Sequence, residues 1–161
     1  MNLTTMNLNT INDSTLVQST ERLVREERER LTKILHHLRE IERRRLFSAL
    51  GFKSLFDFTV RHLGYPEDQA YRRISAMRLL KEIPEIEKKI ELGEISLTHI
   101  GLAQSLFRQE MKIRNKEMSR DQKWAVLEQI ASKPVREAER ITLAMSSLPE
   151  AVKPDRLRPI S

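Results

Sequence analysis

The chain contains no cysteine. That excludes disulfides, thiolate zinc sites and cysteine nucleophiles, and it suits a reducing cytoplasm. No apolar run approaches the about 18 residues that a membrane-spanning helix needs. The N-terminus, MNLTTMNLNTINDSTLVQ, has neither the basic region nor the apolar stretch of a signal peptide. There is no glycine-rich nucleotide loop, no HExxH and no GxSxG. The histidines do not group. His36 and His37 are adjacent, so on a helix they diverge by about 100° and cannot share a metal as an i, i+4 pair does. His62 and His99 stand alone and read as helix-surface or cap residues. Carboxylates are many but patterned for the surface. No cofactor, metal site or catalytic residue is therefore assigned. Convincing β alternation and internal repeats are missing as well.

What is present is charge and helical periodicity. Charged residues make up 32% of the 161, with a formal net charge of +6. Such a balance suits an acidic partner, and nucleic acid is the commonest. Acidic residues are also abundant, so any basic surface must be local. A domain of this length buries about 68–70% of its unfolded surface and needs no staple.

The expected fold class is all-α. Residues 1–19 are rich in Asn, Thr and Ser, which predicts a mobile tail. From Thr20 to Leu50 the pattern is helical, capped by Ser19 or Thr20. Val24, Leu31, Leu38 and Arg45 recur at sevens, with Ile34, Leu35 and Ile41 between them. Glu26–Arg30, Glu29–Lys33 and Glu40–Arg44 are spaced for surface pairing. The stripe is short for a coiled coil, so the helix reads as folding back on its own domain. A homodimer through residues 20–50 is the alternative. Further helices are expected through residue 147, with residues 108–118 as a helix end and loop. Ser96 and the Ser119-x-x-Gln122 box cap the later helices. From Leu148 on, Pro149, Pro154 and Pro159 predict an extended C-terminal tail, residues 148–161.

The most informative stretch is Ser54 to Pro84. Ser54-x-x-Asp57 resembles a capping box, and Leu55, Phe56, Phe58, Val60 and Leu63 make a short apolar helix. Gly64 supplies positive φ at the turn, and Pro66 suits the first turn of the next helix. There Ala70, Ile74, Met77 and Leu80 point inward. Arg72 points away, flanked by Gln69 and Ser75, and Leu79 also points outward in this count, so it must either meet a later helix or lie at an interface. A buried helix, a glycine turn and a basic second helix form the layout of a helix-turn-helix, at residues 54–83. Gln69, Arg72 and Arg73 are placed to face bases, because glutamine and arginine make bidentate contacts with adenine and guanine. Arg61, Arg78 and Lys81 suit phosphates.

Two family resemblances meet here. LGYPEDQAYRRISAMRLLKEIP, with Gly93-Glu94-Ile95-Ser96-Leu97-Thr98-His99, resembles the helix-turn-helix region of ParB-type partition proteins. The recognition helix is longer here and the ParB nucleotide-binding motif has no counterpart, so partition and CTP binding are not implied. The span from roughly Leu31 to Pro159 is similar to the N-terminal helical region of bacterial HNH endonuclease-family proteins. It includes LREIERRRLFSALGFKSLF, SLFRQE and KPVREAER. In those proteins the nuclease module lies further C-terminal, and no ββα pattern or His-Asn-His constellation occurs in this chain. The resemblance implies a non-catalytic module that engages DNA, with no cleavage by this chain alone; with the missing cysteines, the expectation is a cytoplasmic protein with double-stranded DNA as its partner. A protein-interaction or dimerisation module without nucleic-acid binding is the other expectation.

Overall fold

The computed structural model describes residues 8–147. Every regular element among them is a helix. The expected tail at 148–161 lies outside the described residues.

Helix α1 (Asp13–Arg44) starts where the Asn12 side chain accepts the Thr15 N–H at 2.7 Å. A carboxamide cap followed by acidic Asp13 favours a helix N-terminus. The expected start at Thr20 is thus corrected, because residues 13–19 are helical rather than part of a mobile tail. Polar composition concealed the cap. The helix also stops earlier than expected, at Arg44, because Arg45 is left-handed with φ 52°. A short α2 (Leu46–Ala49) follows, and Gly51, at φ 91°, comes just after it. Of the surface pairs expected along α1, Glu40–Arg44 forms at 3.0 Å, and Arg43 joins it. Hydrogen bonds from Arg43 and then Arg44 hold the exposed Glu40 carboxyl well below the usual carboxylate range.

Then come α3 (Leu55–Arg61), α4 (Glu67–Glu82), α5 (Ile86–Glu91), α6 (Leu97–Arg114), α7 (Arg120–Ile130) and α8 (Val135–Met145). Helix α4 lies at the centre, against α1, α3 and α6. Helices α7 and α8 pack on α6 and on each other, and α5 closes against α1. The expected inward residues of α4, Ala70, Ile74, Met77 and Leu80, are all buried. Leu79, expected to point outward, is fully buried too, as is Ala76. Helices cover α4 on several sides, so the one-faced count fails for its C-terminal half. A helix apolar most of the way round is a core helix.

The helix end and loop expected over 108–118 are found there, with the end at Arg114 and the loop after it. Residues 108–114 carry charge, yet they remain helical. The reason is Glu110, which is buried and accepts the Ser147 N–H at 2.7 Å and the Ser147 hydroxyl at 2.8 Å. Arg114, one turn on, pairs with the same carboxylate at 3.0 Å. The loops are tied together at the other end of α6. There Ser96 and His99 form a capping box. Because the Lys133 carbonyl accepts from His99 Nε2 at 2.7 Å, Nδ1 is the acceptor for the Ser96 N–H. The cap reading of His99 therefore holds, and His62 likewise ends α3. Ser119 and Gln122 form the expected box at the start of α7. Among the described residues, no helix is long and apolar enough to cross a membrane.

Candidate nucleic-acid interface

The candidate site is built on the join between α3 and α4. Ser54 caps α3 by accepting the Asp57 N–H at 2.9 Å. Leu55, Phe58 and Thr59 bury the inner face of α3, and the Thr59 hydroxyl donates to the Leu55 carbonyl at 2.7 Å. Phe56 and Leu63, expected inside with them, are 38% and 44% exposed, because α3 has only one covered side. Gly64 takes φ 83°, as the turn requires. The Tyr65 N–H returns to the Thr59 carbonyl at 3.2 Å and pins the turn to α3. Pro66 is the N-cap of α4 rather than its first helical residue. Glu67 and Asp68 fill the first turn, where negative charge is stabilising.

The outer face of the first two turns of α4 stands clear of the core, while Ala70 and Ile74 bury the inner one. Gln69, Tyr71 and Arg72 are exposed there, and Arg72 has no ion-pair or hydrogen-bond partner for its side chain among the described residues. Arg73 is half-buried. Its guanidinium lies 4.5 Å from the Tyr65 ring centre and donates to the Gln69 carbonyl and Oε1, both at 3.2 Å. Its Nε is buried without a partner. Gln69, Arg72 and Arg73 therefore come together, but Arg73 is a prop for the turn as much as a free cation.

The expected phosphate contacts are dispersed. Arg61 reaches back to Asp57 at 3.7 Å. Arg78 pairs with Glu42 of α1 at 3.1 Å, and Lys81 lies exposed one turn further on. Between these residues and Arg72, Ile74 to Met77 are buried, so α4 offers no continuous basic face.

The chain matches no family model, no curated protein and no solved structure.

Sequence reasoning missed a neighbouring surface. The Arg108 guanidinium lies 5.9 Å from the ring of Tyr71, which is 51% exposed. One turn earlier on α6, the Gln104 amide donates to the Ser75 carbonyl at 3.2 Å, so α6 runs antiparallel beside α4. Phe56, Tyr71, Arg78 and Arg108 line a shallow groove between α3, α4 and α6. Tyr71 was visible in the sequence as the neighbour of Arg72, whereas Arg108 needed the α4–α6 contact to place it. Among the described residues, no group of three or more His, Cys, Asp or Glu sits close enough to hold a metal ion.

Proposed function

We propose that this chain is a helical module that binds double-stranded DNA through the exposed first half of α4. The observation that carries the reading is Arg72. It projects, with no anionic partner, from the start of a helix that a tight glycine turn joins to a buried one. The early residues of a recognition helix are those that reach base edges in the major groove. In this reading Gln69 and Arg72 read bases. Arg61, Arg78 and Lys81 meet phosphates, with Arg108 added to them. Glu67 and Asp68 keep phosphate away from the helix end itself. The likeness to ParB-type and HNH-family helical regions, carried by the residues quoted above, supports DNA engagement without cleavage. A cysteine-free, basic chain also suits the cytoplasm where such DNA is found.

Duplex binding followed by fluorescence anisotropy across a salt series tests this. Affinity should fall steeply as salt rises, because phosphate contacts release counterions. Arg72→Ala is the cleanest variant, because Arg73→Ala would also loosen the turn. Losing one base-reading arginine costs about 1–3 kcal/mol, roughly 5- to 150-fold in affinity. Equal affinity in wild type and Arg72→Ala, or binding insensitive to salt, refutes the assignment.

A further inference from the structure

Helix α1 carries a stripe that its own domain leaves exposed at its N-terminal half and covers only in part at Ile34 and Ile41. Leu16, Thr20, Leu23, Glu27, Arg30, Ile34, His37 and Ile41 follow one another at alternating steps of four and three. That is the spacing of a coiled-coil seam. The domain packs mainly on an adjoining side of the helix, through Thr32, Leu35 and Leu38, and reaches the stripe only at the edges of Ile34 and Ile41. Leu16 and Leu23 are 39% and 51% exposed, with Val17 and Val24 beside them at 55% and 39%. At the other end, Ile34 and Ile41 line an apolar groove whose far wall is Leu63 and Tyr65.

We infer that this stripe pairs with the same stripe of a second copy, antiparallel, about a two-fold axis passing between residues 28 and 29. The order of residue types selects that partner and that direction. Read from either end towards the centre, the stripe runs apolar, polar, apolar, charged. The two central charges are opposite, Glu27 and Arg30. In the antiparallel register Leu16 meets Ile41 of the second copy, Thr20 meets His37, Leu23 meets Ile34 and Glu27 meets Arg30. The two-fold repeats each layer, as an isologous interface requires. The flanks agree as well. Val24 falls opposite Leu31, and Glu26 falls opposite Lys33. None of Glu26, Glu27, Arg30 and Lys33 has a side-chain partner within the monomer among the described residues.

An in-register parallel pair would instead place Glu27 on Glu27 and Arg30 on Arg30. The charged layers therefore act against the wrong direction as well as for the right one. The paired length is ~37 Å at about 1.5 Å per residue. Leu16 and Val17 of one copy enter the groove beside Leu63 of the other, so the two exposed patches of each copy cover each other. The inference is independent of DNA binding, since neither Gln69 nor Arg72 is part of the seam.

Sedimentation velocity on the full chain is expected to show a monomer–dimer equilibrium. Leu23→Glu, at an exposed position, should give monomers of unchanged helicity. Glu27→Arg should weaken the dimer by about tenfold or more, because it sets like charges together. Adding Arg30→Glu to that variant should restore the dimer. The absence of native cysteine permits a direct check of direction. Oxidising a mixture of Leu23→Cys and Ile34→Cys chains should link one to the other, whereas Leu23→Cys alone should not link to itself. A chain that stays monomeric at all concentrations, a Leu23→Cys self-disulfide, or failure of the charge swap to rescue overturns the inference.

Discussion

Replacing Leu79 by alanine tests the claim that α4 is the core helix of this protein. Leu79 is 0% exposed and lies among helices that cover α4 on several sides. Removing its outer carbons loses their transfer free energy and leaves a cavity that packed helices close only in part. Such truncations cost about 2.7–5.0 kcal/mol, and full enclosure puts Leu79 near the middle, at about 3–4 kcal/mol. In a domain of this size each kcal/mol shifts Tm by about 2–5 °C, so a fall of roughly 6–20 °C is expected. Urea unfolding followed by far-ultraviolet circular dichroism measures it, with the slope m unchanged if both chains unfold as one unit. Lys81→Ala, on the same helix but exposed, is the control and should stay within about 0.5 kcal/mol of wild type. A Leu79→Ala cost below about 1 kcal/mol would mean that one side of α4 is open, and the central position given to it would be wrong.

Two further outcomes follow from groups beside that core. Lys123 is buried on α7, with Nζ at 2.8 Å from Glu82 and 3.0 Å from Glu117. Burial alone would lower its pKa, but hydrogen bonds and charge from Glu82 and Glu117 outweigh it and raise the pKa above the ordinary lysine value. A raised folded-state pKa adds stability that is complete below the unfolded lysine pKa and disappears as pH climbs through the folded one. Wild type should therefore lose Tm relative to Lys123→Met as pH rises above about 10, and parallel Tm curves for the two chains would count against the pairing. At Gly93, φ is 80°, and an added Cβ would fall 2.5 Å from Arg28 Cζ. The guanidinium can swing aside while the backbone strain stays, so Gly93→Ala should cost about 1–2 kcal/mol in urea unfolding, and a neutral result would contradict the turn geometry.

The helical class and most helix starts were legible because they depend on local chemistry. Ser54, Ser96 and Ser119 cap where their side chains allow, and Gly64 and Gly93 turn where positive φ is needed. What was not legible has a common physical origin in long-range contacts. Leu79 is inside because α4 has neighbours on several sides, which spacing along one helix cannot reveal. The charged end of α6 stays helical because Ser147, far along the chain, satisfies Glu110. The start of α1 is a different case. Asn12 and Asp13 were local signals, overshadowed by the polar composition around them. At the candidate site, Gln69 and Arg72 were legible as exposed residues of a helix start. The partners of Arg73 and Arg78, Tyr65 and Glu42, were not, since packing chooses them, whereas Arg61 and Asp57 stand four apart on α3 and their pairing follows from spacing alone.

The two-sided use of α1 also fixes an order of events during synthesis. Its buried residues Thr32, Leu35 and Leu38 face elements made later, and Thr32 bonds to Glu91 at the end of α5 at 3.1 Å. A ribosome adding about 5–20 residues per second needs roughly 2–9 s to make the ~47 residues from Arg44 to Glu91. Through that interval the helix gains its cover in pieces, from α2 and α3, then α4 and last α5, so part of its core-facing side stays bare together with the outer stripe. A chaperone that binds amphipathic helices has its opening then. In the inferred dimer, the stripes of two chains growing on one messenger would be available to each other before either chain has closed its core.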